Sequence, residues 1–335
     1  MRFIFILLFF IVFLEARDYT QNKNVQTFID NISKEHTIDK GYLQKLFSNV
    51  KVYKTPLKIY ALKSKKNTTT AKNTKKKKRT FRHGSWDRYS KFKINPSRVK
   101  QGVQFIKKHQ KTFNDVEKIY GVPKEYIAAI IGIETVYGGE VGSYLVFDNL
   151  VTLAFEKNRR NRFFKKELEK FLVLSQTQKF NPRNVKGSYA GAIGLGQFMP
   201  SNYEAYGVDQ DKDGLITLQK ADDAIASVAN YFKKNGWRTG EYVATRVSYE
   251  GTRFSRLKTG YRTLYDRQVL KGISPREAWN YKGKVRLIKL NKKAYDELWY
   301  GAKNFFVITR YNHSSYYAMS VHQLAQKIKK KLDEN

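Results

Sequence analysis

Nine residues, Ile127-Ala-Ala-Ile-Ile-Gly-Ile-Glu-Thr135, form an apolar run that carries a single carboxylate. Pro123 suits the first turn of a helix and Gly138-Gly139 suits its stop, so residues 124–137 are predicted helical. Isoleucines 127, 130 and 131 define the apolar stripe, and helical spacing from Ile127 lands on Glu134. That puts an acid on the face due for burial. Desolvation disfavours its ionised form and makes it a usable proton donor near neutral pH. The plainer alternative is a Glu at the helix edge, hydrogen-bonded or paired with one of the many Lys and Arg.

The chain has 335 residues, room for one large or two modest domains, with 41% hydrophobic residues and 15% aromatics to fill a core. Lys and Arg number 64 against 29 Asp and Glu, a net charge of +35 that calls for an acidic partner: nucleic acid, anionic lipid or an acidic wall polymer. Cysteine is absent, which excludes disulfides, thiol catalysis, zinc–thiolate sites and lipid attachment at an N-terminal Cys. Arg2 followed by the apolar residues 3–14 and then Glu15-Ala16-Arg17 has the layout of a secretory signal peptide, residues 1–16, with cleavage expected after Ala16 and an uncleaved anchor as the alternative.

Residues 17–62 are expected to give two short helices and an extended piece from Tyr53 to Leu62. In residues 63–82, ten of twenty positions are Lys or Arg, so 63–83 is expected to be a disordered linker or insertion. This run lacks the interleaved aromatics of a base-stacking surface, and removing it leaves +25 of the +35, so basicity belongs to the whole surface and nucleic acid is not the expected partner. Residues 103–120 are predicted to form one amphipathic helix, and further helices are expected over 149–155 and 162–174. After Trp237 the period becomes two, giving expected strands at 242–249, 284–290 and 304–310. Residues 321–332 close the chain as a basic helix. The residues thus read as α+β, mainly α: a helical N-terminal part, a helical core over 84–237, a small antiparallel β subdomain over 238–310, and 311–335 ending in a helix.

Two loops carry chemistry. Residues 187–200 are Gly-rich but lack the Gly-Lys-Ser/Thr ending of a phosphate loop. Asp209-Gln-Asp-Lys-Asp-Gly-Leu215 matches the first half of an EF-hand, with acids at positions 1, 3 and 5, Gly at 6 and a backbone carbonyl at 7. Position 12, usually a bidentate Glu, is Lys220, although Asp222 and Asp223 follow. An Asx-rich turn without metal is the alternative.

Taken together, these stretches resemble the lytic murein transglycosylase B family, which cleaves peptidoglycan glycan strands. The motifs that carry the resemblance run in the family's order: Tyr120-Gly-Val-Pro, Ile131-Gly-Ile-Glu-Thr, Lys186-Gly-Ser-Tyr-Ala-Gly-Ala, Gly196-Gln-Phe-Met-Pro-Ser, Val228-Ala-Asn-Tyr, Asn235-Gly-Trp and Ile308-Thr-Arg-Tyr-Asn-His-Ser. The resemblance implies a lysozyme-like helical core with small accessory domains, Glu134 as the single catalytic acid, and a substrate groove of Tyr89, Arg159, Arg160, Ser188, Gln197, Asn230, Tyr231, Tyr311, Asn312 and Tyr317. It also implies a structural Ca²⁺ held by Asp209, Asp211, Asp213, Leu215 through its carbonyl, and Asp223. The expected partners are peptidoglycan strands, with cell-wall synthesis or division proteins as recruiters. The expected form is a periplasmic monomer without a lipid anchor. This chain departs from the family at Gly207 before the loop, at Leu215 where His is frequent, and at Ala226 where Gly is common.

The implied reaction needs one carboxyl group, because the C6 hydroxyl of the substrate itself closes on C1 to leave a 1,6-anhydro end. A lysozyme-type muramidase would instead need a second acid, Glu140 or Asp148, and a non-catalytic wall-binding or polyanion-binding protein would need no Glu134. Because charge outside the groove should act through attachment, deleting residues 63–82 should weaken sedimentation with insoluble peptidoglycan, more at low salt than at high. Turnover of short soluble glycan fragments should hardly change. The reverse pattern would make the segment part of the groove.

Overall fold

The structure is a computed structural model and describes residues 16–62 and 83–334. Most of the expected signal peptide and the Lys-rich run at 63–82 fall outside those residues. In chain order the elements are β1 (Ala16–Arg17), α1 (Lys23–His36), α2 (Lys40–Phe47), β2 (Val50–Lys51), α3 (Lys54–Ile59), α4 (Ser85–Lys93), α5 (Pro96–Lys108), α6 (Gln110–Tyr120), α7 (Lys124–Thr135), β3 (Tyr144–Leu145) and α8 (Val146–Phe155). There follow α9 (Asn161–Thr177), β4 (Lys186–Gly187), α10 (Pro200–Tyr206), α11 (Ala221–Lys234), β5 (Ala244–Tyr249), β6 (Ile273–Pro275), β7 (Arg286–Asn291), β8 (Asp296–Gly301), α12 (Lys303–Tyr311) and α13 (Ser315–Asp333). The chain is mainly helical with small antiparallel sheets, as expected from the sequence.

The described residues form two compact units, one made of residues 16–62, 142–192 and 199–201 and the other of 83–141, 193–198 and 202–334. In the first, Val25, Ile29, Leu43, Phe47, Phe147, Leu150, Phe164, Leu168 and Phe171 are fully buried. Phe47 meets Phe147 edge-on at 5.3 Å and Phe155 at 6.2 Å, a geometry that aromatic quadrupoles favour. Tyr53 to Leu62, expected to be extended, contains the short helix α3. Its Pro56 lies in the first turn, where the missing N–H costs no helical bond.

The second unit is built on α7. Ile127, Ala128, Ala129, Ile130, Ile131 and Ile133 are all buried, so the helix is covered on every side rather than along one stripe. It packs against α5, α6, α11 and α13. Pro123 takes the capping position, extended at ψ 136°, and the helix ends at Thr135 because Val136 and Tyr137 turn left-handed at φ 53° and 57°. The stop therefore precedes the two glycines. The single helix expected over 103–120 is two, α5 and α6, broken at His109. Phe105 and Phe113 both point inward across that break, 5.8 Å apart, which is why the apolar periodicity runs through it unchanged.

The antiparallel sheet has the order β6-β5-β8-β7 and covers Val247, Leu270, Ile273, Trp279, Val285, Leu287, Leu298 and Tyr300. Strands expected at 242–249 and 284–290 appear as β5 and β7, but residues 304–310 are helical. Asn304, Phe305, Val307 and Ile308 satisfy a helical face as well as an alternation, and tertiary anchoring decides. The buried Asn304 amide accepts from Arg238 N at 2.9 Å and donates to Arg238 O at 2.8 Å, fixing the first turn of α12.

The Gly-rich loop folds back on itself through Ile193 N to Phe198 O at 2.8 Å and Phe198 N to Ile193 O at 3.0 Å. Gly194 sits at φ 73°, and a Cβ there would stand 2.5 Å from Leu218 O. Gly194→Ala should therefore destabilise the protein by about 2 kcal/mol or more, combining a left-handed penalty with a clash against backbone. Thermal unfolding measures it, and an unchanged Tm would show that the loop tolerates a different path.

Candidate active site

Glu134 occupies the last turn of α7, half-buried among aromatic side chains. Tyr317 of α13 donates its hydroxyl to Glu134 Oε1 at 2.6 Å. Burial raises the Glu134 pKa, while the Tyr317 bond and the Lys93 charge pull it down. Thr135, the next residue, holds the Gly-rich loop against the helix: its hydroxyl donates to Leu195 O at 2.9 Å, and its oxygen accepts from Gly138 N at 3.1 Å. That pairing brings Gln197 into the same unit as Glu134. Gln197 adopts φ 53° and donates both amide hydrogens, to Val141 O at 3.1 Å and Gly194 O at 3.0 Å, so its carbonyl oxygen is what it can offer a ligand.

The aromatic wall is layered. Tyr311 and Tyr317 rings stack nearly parallel at 6.4 Å, and Tyr231 meets Tyr311 edge-on at 4.8 Å. Tyr311 donates to Gly196 O at 2.5 Å, tying α12 to the Gly-rich loop. Burial drives the Tyr311 and Tyr317 hydroxyls far above the normal phenol range, with the Glu134 charge adding to it, so both remain protonated donors. Tyr231 at 6% exposure and Tyr317 at 3% have no open ring face. Expected in the substrate groove, they are buried and buttress Tyr311 and Glu134, and the partly open rings are Tyr89 and Tyr311. Tyr89 rests on Trp86 at 6.0 Å and on Tyr316 at 5.7 Å.

The remaining expected groove residues divide. Asn230 spends its amide on Tyr206 O at 2.9 Å, an anchor for the end of α10, while Asn312 is exposed where α12 gives way to extended chain. Arg159, Arg160 and Ser188 belong to the other unit. There the two exposed guanidinium groups lie over the Tyr60 ring at 5.7 and 5.9 Å, and the Ser188 oxygen accepts from Ala190 N and Ala192 N at 3.3 and 3.0 Å. Lys93, whose charge acts on Glu134, and Thr135, which holds Leu195 O, join the candidate site without having been singled out in the sequence. Thr135 had a signal, a polar residue directly after an acid in an apolar run; Lys93 had none among so many lysines.

As for a second acid, Asp148 is buried and paired with Arg183 at 2.9 Å, and Glu140 is exposed. In the Asp-rich loop, carboxylate oxygens of Asp209, Asp211 and Asp223 lie within 4.8 Å of one another. Asp209 Oδ1 is buried with no hydrogen-bond partner among the described residues, the kind of orphan that a cation would satisfy. Asp223 is fully buried and accepts from Gln210 N at 2.8 Å and Thr217 N at 2.6 Å. Asp213 departs from the expected set: it faces the Lys220 ammonium, which also reaches Asp211 at 2.8 Å. The donor set fits a hard divalent cation, with Lys220 as a competing charge.

The sequence matches the family described as Transglycosylase SLT domain over residues 20–326. It is 39% identical over 313 residues to the membrane-bound lytic murein transglycosylase B of Escherichia coli strain K12, covering 93% of this chain and 84% of that one. The fold superposes with a TM-score of 0.85 on the Escherichia coli lytic transglycosylase SLT35 solved in complex with calcium, at 37% identity and 96% and 97% coverage. It superposes at 0.75 on SltB3 from Pseudomonas aeruginosa in complex with NAG-anhNAM-pentapeptide, at 25% identity and 91% and 79% coverage. With a lysozyme-like helical fold around Glu134 and a match along nearly its whole length, this chain belongs to the transglycosylase SLT family of lytic murein transglycosylases.

Proposed function

We propose that this lytic murein transglycosylase works with Glu134 as its single catalytic carboxyl group, first as acid and then as base, on the MurNAc-β-1,4-GlcNAc bond of peptidoglycan. The observation that carries the reading is the Tyr317–Glu134 hydrogen bond inside an apolar setting, with Asp148 engaged by Arg183 in the other unit. Burial raises the Glu134 pKa and so favours the protonated form that donates. Glu134 gives that proton to the bridging oxygen, the C1–O bond breaks, and GlcNAc leaves with a C4 hydroxyl. The substrate's 2-acetamido group stabilises the oxocarbenium-like carbon. The Glu134 carboxylate, steadied by Tyr317, then takes the proton from the C6 hydroxyl as O6 bonds to C1. No water enters and Glu134 ends protonated.

Tyr89 and Tyr311 offer ring surface to the sugars, while Gln197 offers its carbonyl oxygen to a hydroxyl or amide N–H. Asn312 supplies a further polar contact to the glycan, and in the other unit Arg159, Arg160 and Ser188 offer polar groups to peptidoglycan and its acidic stem peptides. Peptidoglycan places the work in the periplasm. Ca²⁺, held by Asp209, Asp211, Asp223 and the Leu215 carbonyl with Asp213 nearby, would cross-link the loop and have no part in the chemistry. That a relative was solved in complex with calcium supports the choice of ion.

Glu134→Gln keeps shape and hydrogen bonding but loses the titratable proton. Digestion of purified peptidoglycan, read as anhydro-muropeptides by mass spectrometry, should slow by at least about a hundredfold with an unchanged fold. Near-normal turnover would dismiss Glu134, and reducing-end products from the native chain would make it a hydrolase. For the metal, chelation should lower Tm by several degrees, and the Asp211→Ala/Asp213→Ala double variant should abolish that response. Identical melting curves with and without chelator would count against a bound ion.

A further inference from the structure

At the end of α7, Val136 N bonds Gly132 O at 3.2 Å, and Tyr137 N bonds Ile131 O at 3.4 Å instead of closing the next helical bond on Ile133 O. The left-handed turn at Val136 and Tyr137 thus leaves the Ile133 carbonyl, adjacent in the chain to Glu134, to a side chain. Lys93 Nζ, from the last residue of α4, donates to it at 2.9 Å. Arg98 of α5 does the same for Gly132 O at 2.9 Å. Two cations from neighbouring helices therefore complete the negative end of α7, and the half-buried Lys93 is the one whose charge reaches Glu134.

We propose that Lys93 is a positioning residue for the reaction: its ammonium, held on the carbonyl beside Glu134, lowers the upper limit of the pH range in which Glu134 carries the proton it donates. This rests on Glu134 being the acid. The groups around Glu134 are Tyr89 and Lys93 of α4, Tyr311 of α12 and Tyr317 of α13, with Arg98 of α5 and Glu140 acting on Lys93 and Tyr231 of α11 acting on Tyr311. Tyr311 and Tyr317 are held protonated, so Lys93 is the nearby formal charge opposing burial. Burial lowers the pKa of Lys93 itself, and the Glu134 charge pulls it back.

The sign follows. A cation favours carboxylate, so removing it favours the acid form and moves the basic limb of the rate profile upward. The test is kcat/KM against pH on a soluble glycan fragment for Lys93→Met, Lys93→Gln and Lys93→Arg. Both neutral variants should move the basic limb to higher pH. At the pH where the native enzyme has fallen to half its maximum, each should run about 1.5- to 2-fold faster relative to its own maximum. Lys93→Arg should keep the native limb. Superimposable profiles for the neutral variants, or activity lost at every pH in all three variants, would overturn the proposal. Glu134→Gln separates the two readings: an inactive Glu134→Gln with superimposable Lys93 profiles removes only the role of Lys93, whereas an active Glu134→Gln removes the acid itself.

Discussion

Glu134 must remain ionisable inside a helix bundle, and an unpartnered carboxylate there would cost several kcal/mol, so the groups around it are constrained to compensate. Tyr317 supplies a short hydrogen bond, which requires α13 to cross α7 at that turn. Tyr317 in turn needs Tyr311 and Tyr231 beside it, and Tyr311 ends on Gly196 O. The Gly-rich loop, the last two helices and the acid are thereby coupled through four or five specific contacts. Since α12 starts directly after β8, the small sheet anchors one wall of this site.

Closing α7 posed a second problem. A helix buried on all sides cannot send its last carbonyls to water, and its left-handed turn satisfies only some of them. Lys93 takes the Ile133 carbonyl and Arg98 adds a second donor to the Gly132 carbonyl, while Thr135 ties the turn to the Gly-rich loop. The solution places a positive charge beside Glu134, so the arrangement that completes the backbone is also the one on which the proposed role of Lys93 rests.

The Asp-rich loop shows charge balance of another kind. Gathered carboxylates repel, and backbone N–H groups from Gly214, Gln210 and Thr217 offset part of that. Lys220 neutralises Asp211 and Asp213 from the position an EF-hand gives to a bidentate Glu. A tethered ammonium and a divalent ion compete for the same oxygens, which bears on how tightly calcium would be held in this chain.

The sequence by itself determined that a helix follows Pro123 and carries Glu134 on its apolar face; the structure ended that helix at Thr135 and buried it on every side. The sequence also determined the helical majority and two of the strands, β5 and β7, because local periodicity records which face is buried. Family motifs marked candidate site residues, but residue identity does not say which atom of a side chain is free. Tertiary structure alone decided that Tyr231 and Tyr317 are buttresses, that Asn230 is committed to Tyr206 O, and that residues 304–310 form a helix held by Asn304. It also decided the break at His109, where Phe105 and Phe113 keep the same inward phase on both sides. Above all it decided the partner of the Ile133 carbonyl: one lysine among many becomes distinctive only when the end of α4 meets the end of α7, a contact between helices that no local pattern encodes.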